Sequence, residues 1–172
     1  MNRAAQSDMF NAICDMKLVS PKIVLVVEDD PDDLELFKFV ARNAKHPLSF
    51  HFTHDGEEAI AYLKGDGRFA DRKTHPLPDL LLLDLKLPKR DGFEVLDWVR
   101  ATPKFKQLEV FVWTGWENPE HSARVKRAGA KHFIKPVQLE GLAAMVGNMS
   151  LALLGSRPGD IGQGREIRDQ RT

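Results

Sequence analysis

The chain has 172 residues, 42% of them hydrophobic and 29% charged, a balance that suits one soluble globular domain with flanking segments and excludes collagenous, coiled-coil and disordered classes. Lys and Arg total 25 and so do Asp and Glu, so the formal net charge is zero and no electrostatic footprint for tracking a nucleic acid is present. The single cysteine, Cys14, has no partner for an internal disulfide, and no apolar run approaches the ~18–20 residues of a transmembrane helix; a cytoplasmic chain is expected, with neither nucleic acid nor membrane as a direct partner.

The first segment with a clear preference is Lys22-Ile-Val-Leu-Val-Val27, a β-branched run that empties into Glu28-Asp29-Asp30-Pro31, as a buried strand does when it reaches the surface. Pro31 suits a first helical turn, Asp32, Asp33 and Glu35 suit the positive end of a helix dipole, and Leu34, Phe37, Val40 and Ala41 recur at helical spacing. Leu48–Thr53 alternates like a half-buried strand. Asp55-Gly-Glu-Glu58 then reads as a capping box for a helix carrying Ala59, Ile60 and Leu63. Lys64 to Pro78 reads as a long loop without elements of its own, and Asp30, Asp32 and Asp33 as a solvated helix start. Asp79-Leu-Leu-Leu-Leu-Asp84 is a third strand ending in a carboxylate, followed by a helix near Phe93–Arg100 that Pro103 closes. Glu109–Thr114 is a fourth strand; Asn118-Pro119 caps a helix running to Gly129. Lys131–Ile134 is a short fifth strand, and Leu139–Leu154 a last helix.

Five strands alternating with helices, each a nearly continuous apolar run, predict an α/β domain with a parallel sheet covered on both faces. The domain is placed at residues 21–154. Residues 1–20, amphipathic around Met9–Val19, form an N-terminal arm, and 155–172 a polar, flexible C-terminal tail with no room for an output domain.

Ligands of open parallel sheets sit outside the carboxyl ends of the strands, where this chain places Glu28, Asp29, Asp84, Thr114 and Lys135. Clustered carboxylates raise one another's pKa unless a cation joins them, and Mg2+ is a hard ion suited to the oxygens of Asp29 and Asp84 together with a donor's phosphate. Asp84 is then the nucleophile that takes a phosphoryl group as an acyl phosphate, with Lys135 neutralising the transferred charge and the Thr114 hydroxyl donating to it. A carboxylate directly after four leucines is costly to leave at a buried strand end without a partner. His51 and His54 share neither a strand face nor a helix face and read as surface histidines rather than a zinc site.

Val26-Val-Glu-Asp-Asp-Pro31, Leu82-Leu-Asp-Leu-Lys-Leu-Pro88 with Asp91-Gly92, Val112-Trp-Thr114 and Lys135-Pro136 resemble response-regulator receiver domains over about residues 22–154. The resemblance implies a flavodoxin-like fold of strand order 2-1-3-4-5 and a phosphorylation-dependent switch in a two-component system or phosphorelay. It makes Asp84 the phosphoacceptor, Glu28 and Asp29 the acidic pair, and the Lys86 backbone carbonyl a further Mg2+ ligand. Thr114 and Lys135 become the switch hydroxyl and the phosphate-binding lysine, with a cis Lys135-Pro136 bond. Asp55-Gly-Glu-Glu-Ala59, Gly65-Asp-Gly-Arg-Phe-Ala-Asp71 and Leu85-Lys-Leu-Pro-Lys-Arg-Asp-Gly92 are similar to small single-domain receivers that partner phytochrome-type histidine kinases. The expected partners are therefore a sensor histidine kinase, of phytochrome type by that similarity, or a histidine phosphotransfer protein, with homodimerisation as another output.

Two positions depart from the family pattern. His132 stands three residues before the lysine, where receivers commonly place a Tyr or Phe that swings inward; an imidazole there either makes the inward state sensitive to pH as well as phosphate or is a surface imidazole that leaves switching to Thr114 and the backbone. Trp116, two residues beyond Thr114, either shields the acyl phosphate from water and restricts the donor or packs on the loop to Asn118. Rival readings are an aspartate-based phosphatase or phosphotransferase, a nucleotide- or flavin-binding domain, and a docking module without chemistry. Lys86 stands where such phosphatases need a second acid, and Glu-Asp-Asp-Pro replaces a glycine-rich phosphate loop. The expectation is a receiver that assists its own Mg2+-dependent phosphorylation and autodephosphorylation rather than an enzyme of steady turnover.

Overall fold

The computed structural model describes residues 21–43, 48–116 and 118–155; the N-terminal arm and the tail from residue 156 lie outside them. Five parallel strands, β1 (Lys22–Val27), β2 (Leu48–Thr53), β3 (Leu80–Asp84), β4 (Glu109–Thr114) and β5 (Lys131–Ile134), are ordered β2-β1-β3-β4-β5. The helices are α1 (Pro31–Asn43), α2 (Gly56–Lys64), α3 (Gly92–Ala101), α4 (Pro119–Arg127) and α5 (Leu139–Leu154). This is the flavodoxin-like order expected from the resemblance, and no helix among the described residues is long and apolar enough to cross a membrane.

Strand periodicity divides the core. Val24, Val26, Leu80, Leu82, Phe111 and Trp113 face Leu34 and Phe37 of α1 and Leu142, Met145 and Val146 of α5. Leu25, Val27, Leu81, Leu83, Val110 and Val112 face α2, α3 and α4 on the opposite side. Both faces of β1 and β3 are thus covered, which is why those strands read as unbroken apolar runs. Each fully buried leucine of β3 contributes about 1.5–3 kcal/mol of burial.

Capping differs from the sequence reading in one detail. The Asp55 side chain accepts from the Glu58 amide at 2.7 Å, but the Glu58 carboxylate reaches back to the His54 amide at 3.1 Å, one residue before the cap. The full capping box is on α3, where Asp91 and Glu94 exchange side-chain bonds with each other's amides. Asn118 caps α4 as expected, accepting from the amides of Glu120 and His121.

The segment Lys64 to Pro78 is more ordered than a featureless loop. It contains a 3-10 turn at Gly67–Phe69 and is pinned by Arg72, which donates to the carbonyls of Tyr62 and Leu63 and so closes the end of α2. Tyr62 donates its hydroxyl to the Pro76 carbonyl at 2.9 Å, and burial pushes that phenol up to about 12. Polarity and glycine content hid these long-range bonds from a local reading.

Candidate functional site

The site is a product of register. Val27 lies opposite Leu83, so the next residues, Glu28 and Asp84, emerge side by side from β1 and β3. Asp84 in turn lies beside Trp113, and Thr114 beside Ile134, which brings Lys135 to the same end of the sheet. The Lys135 amide donates to the Thr114 carbonyl at 2.8 Å, extending the β4–β5 ladder by one residue and fixing where the lysine stem begins.

The Lys135 ammonium is the centre of the cluster. Its Nζ lies 2.7 Å from Glu28 Oε2, 2.8 Å from Asp84 Oδ2 and 2.8 Å from Asp33 Oδ2. It also sits 5.0 Å from the centre of the Trp113 ring. Burial pulls the ammonium down, but the hydrogen bonds to Asp33, Asp84 and Glu28 outweigh it and hold the group above the ordinary lysine value. Glu28 shows the opposite balance. Its side chain is wholly buried, and burial pushes its carboxyl up to about 7 against the pull of Lys135.

Oxygens of Glu28, Asp29 and Asp84 all come within 4.8 Å of one another, the one such group among the described residues able to hold a metal ion. Two of these carboxylates are buried, Asp29 is exposed, and all the donors are hard oxygens; the set fits a small divalent cation open to solvent on one side. A cleft of about 340 Å³ opens over them, its walls completed by Asp30, Asp33, Lys86, Gly115, Trp116 and Lys135. The Lys86 amide donates to Asp84 Oδ1 at 3.2 Å, so the residue two beyond Asp84 already orients its carboxylate.

Thr114 is buried at the end of β4, one residue behind the cleft wall formed by Gly115 and Trp116. Trp116 stands at the rim, 61% exposed, with the Lys86 ammonium 5.5 Å from its ring centre. His132 lies half-buried on the α4 side of the sheet, its Nδ1 3.3 Å from the Ser122 hydroxyl, and is therefore not a plain surface imidazole. The Lys135–Pro136 peptide is trans, correcting the cis bond expected; the trans form is lower by about 0.5–1 kcal/mol, and Lys135 reaches its carboxylates from it.

Asp33 is the residue missed. Read as solvated helix start, it faces inward to Lys135 from the first turn of α1. Its spacing held no signal, since Asp29 lies outside α1, which begins at Pro31, and the i,i+4 rule pairs only residues that are both helical. Asp30 does serve the helix start, accepting from the amides of Asp32 and Asp33.

Residues 24–147 match the family model of the response regulator receiver domain. Response regulator Rcp1 of Synechocystis sp. is 36% identical over 100 residues, covering 58% of this chain and 66% of that relative. Among solved structures, the Mn(2+)-bound form of Rcp1 is 32% identical with a TM-score of 0.69, covering 80% of this chain and 98% of that one. The phosphorylated cyanobacterial phytochrome response regulator RcpA superposes equally well, at 32% identity and a TM-score of 0.69, over 78% of this chain and 95% of that one.

Proposed function

Because the chain belongs to the response regulator receiver family, the phosphorylation-based switches of two-component signalling, we propose that Asp84 is its phosphoryl acceptor and that Mg2+ is held by Glu28, Asp29, Asp84 and the Lys86 carbonyl. The observation that carries this reading is the buried Asp84 carboxylate at the end of β3, with the Lys135 ammonium 2.8 Å from one of its oxygens.

An Asp84 oxygen attacks the phosphorus of a donor, the bond from phosphorus to the donor's nitrogen or oxygen breaks, and the leaving group departs with the electron pair. Mg2+ held by Glu28, Asp29, Asp84 and the Lys86 carbonyl would supply charge neutralisation when bound. Lys135 supplies a second cation from the protein itself, and the Thr114 hydroxyl a hydrogen bond. The domain in this way assists its own phosphorylation and later autodephosphorylation. Asp33, 2.8 Å from the same ammonium, holds Lys135 from the α1 side before transfer.

The upstream partner is a histidine kinase acting in the cytoplasm, of phytochrome type in view of the likeness to the phytochrome response regulator RcpA, or a histidine phosphotransfer protein fed by one. Output is by protein–protein contact, with a homodimer as one form. The contact of His132 Nδ1 with the Ser122 hydroxyl at 3.3 Å supports a reading of the phosphoryl group through β5 and α4. Partner affinity of phosphorylated His132→Phe equal to that of the parent would remove His132 from that role. An aspartate-based phosphatase is disfavoured by Lys86, an exposed base where that chemistry needs a second acid.

Incubation with Mg2+ and a small acyl-phosphate or phosphoramidate donor, followed by intact-mass measurement, tests the assignment. One phosphoryl group is expected on the parent and none on Asp84→Asn. Modification that persists in Asp84→Asn would overturn it.

A further inference from the structure

The loop joining β3 to α3 carries the proposed Lys86 ligand, and the structure holds it at two places. At its base the Gly92 amide donates to the Leu85 carbonyl at 3.0 Å. A Cβ on Gly92 would lie 2.1 Å from the Asp84 carbonyl oxygen, so the start of α3 is shut directly against the strand end. At its tip the contact is made by side chains. Lys89 has φ 65°, the left-handed region that Gly or Asn occupies with less strain.

Its Nζ lies 2.6 Å from Oδ2 of Asp55, a residue 34 positions earlier in the turn between β2 and α2. The Asp55 side chain is only 7% exposed, while that of Lys89 is 57% exposed. Asp55 Oδ1 is already engaged by the Glu58 amide at 2.7 Å, which leaves Oδ2 as the oxygen that needs a partner. Next to it Gly56 lets the two backbones meet: a Cβ there would fall 2.1 Å from the Arg90 carbonyl oxygen. Burial pushes the Asp55 carboxyl up, yet the hydrogen bonds from Lys89 and the Glu58 amide outweigh burial and hold it below its ordinary value.

We propose that Asp55 and Lys89 are positioning residues, a cross-chain ion pair that straps the tip of the β3–α3 loop to the start of α2 and so fixes the Lys86 carbonyl for divalent-cation binding. The inference rests on the metal reading given above. A pair with both ends in water would do little, because solvent and rotamer freedom weaken it. Here one end is a buried carboxylate in a helix cap, which cannot move to follow the lysine, so the constraint falls on the loop. Groups that orient a ligand from behind it influence metal affinity without touching the ion.

The test is the Mg2+ dissociation constant, by calorimetry on the full chain, for the parent, Lys89→Met, Asp55→Asn, the double variant, Lys89→Arg and Asp84→Asn. Asparagine keeps the helix cap but loses the charge, so the two single variants break the same contact from opposite ends. Each is expected to weaken Mg2+ about tenfold, with the double variant no worse than either and Lys89→Arg close to the parent. Amide hydrogen exchange without Mg2+ should quicken across residues 86–91 in both single variants. Binding within about twofold of the parent in Lys89→Met and Asp55→Asn, where that of Asp84→Asn is lost, would overturn the strap and leave the metal reading standing. A parent that takes up Mg2+ no better than Asp84→Asn would overturn both.

Discussion

Glu28 is a carboxylic acid with no exposed surface whose carboxyl is pushed up to about 7 by burial, against the pull of Lys135. Its folded value lies above the ordinary one, so its stabilising contribution is complete below the ordinary carboxylate range and is lost as pH rises through about 7. Cation binding has the reverse sign, because a ligand must be deprotonated to coordinate. Mg2+ affinity should therefore rise by up to about tenfold between roughly pH 6 and pH 8, and Glu28→Gln should flatten that profile as well as weaken it; calorimetry across the range checks both. Trp116 bears on lifetime rather than affinity. Trp116 stands at the rim of the cleft over Asp84 with Lys86 against its ring, and on the proposed reading it would limit the approach of water to an acyl phosphate there. Trp116→Ala should shorten the phosphoryl half-life several-fold, measured as loss of the phosphorylated mass; an unchanged decay would assign the ring to packing alone.

The elements show which contacts depend on backbone approach. Gly92 opens α3 against the Asp84 carbonyl, and because the atom an added Cβ would strike is backbone, no rotamer change relieves the clash. Gly92→Ala should cost about 1–3 kcal/mol in urea unfolding and disturb phosphorylation at the same time. Asp91→Ala, which removes the cap beside it, should cost about 1 kcal/mol and leave chemistry nearly intact. The elements were legible in the sequence wherever local signals sufficed: β1, β3 and β4 as apolar runs, the α4 cap as Asn118-Pro119, the strand-end acids as carboxylates where burial stops. Asp84, Glu28, Asp29 and Lys135 were legible for the same reason, since parallel register collects strand ends. Contacts between distant stretches were not. The pairing of Lys89 with Asp55, the grip of Arg72 on the end of α2 and the inward turn of Asp33 depend on the tertiary path, and polar composition masked all three. The capping box was assigned to α2 because Asp55 and Glu58 have its spacing; in the fold, the Glu58 carboxylate takes the neighbouring His54 amide instead.

At the scale of the whole molecule, four chain segments meet at one end of the sheet, and a ligand bound there stabilises all of them together. Mg2+ at a hundred times its dissociation constant should raise the unfolding free energy by about 2.7 kcal/mol, read as a higher thermal midpoint that Asp84→Asn does not share. β5 gives this convergence a direction. It is a four-residue strand on the edge of the sheet, paired among the described residues with β4 alone, and Lys135 follows it directly. The ammonium that ties the end of this short strand to β1, α1 and β3 is the same group that a phosphoryl oxygen on Asp84 would recruit. On the proposed reading the lysine would be a mooring as well as a reagent: drawing it toward a new anion would slacken two of its lines and tighten a third, so that a charge placed on one oxygen would be felt as tension along the sheet's outer rim.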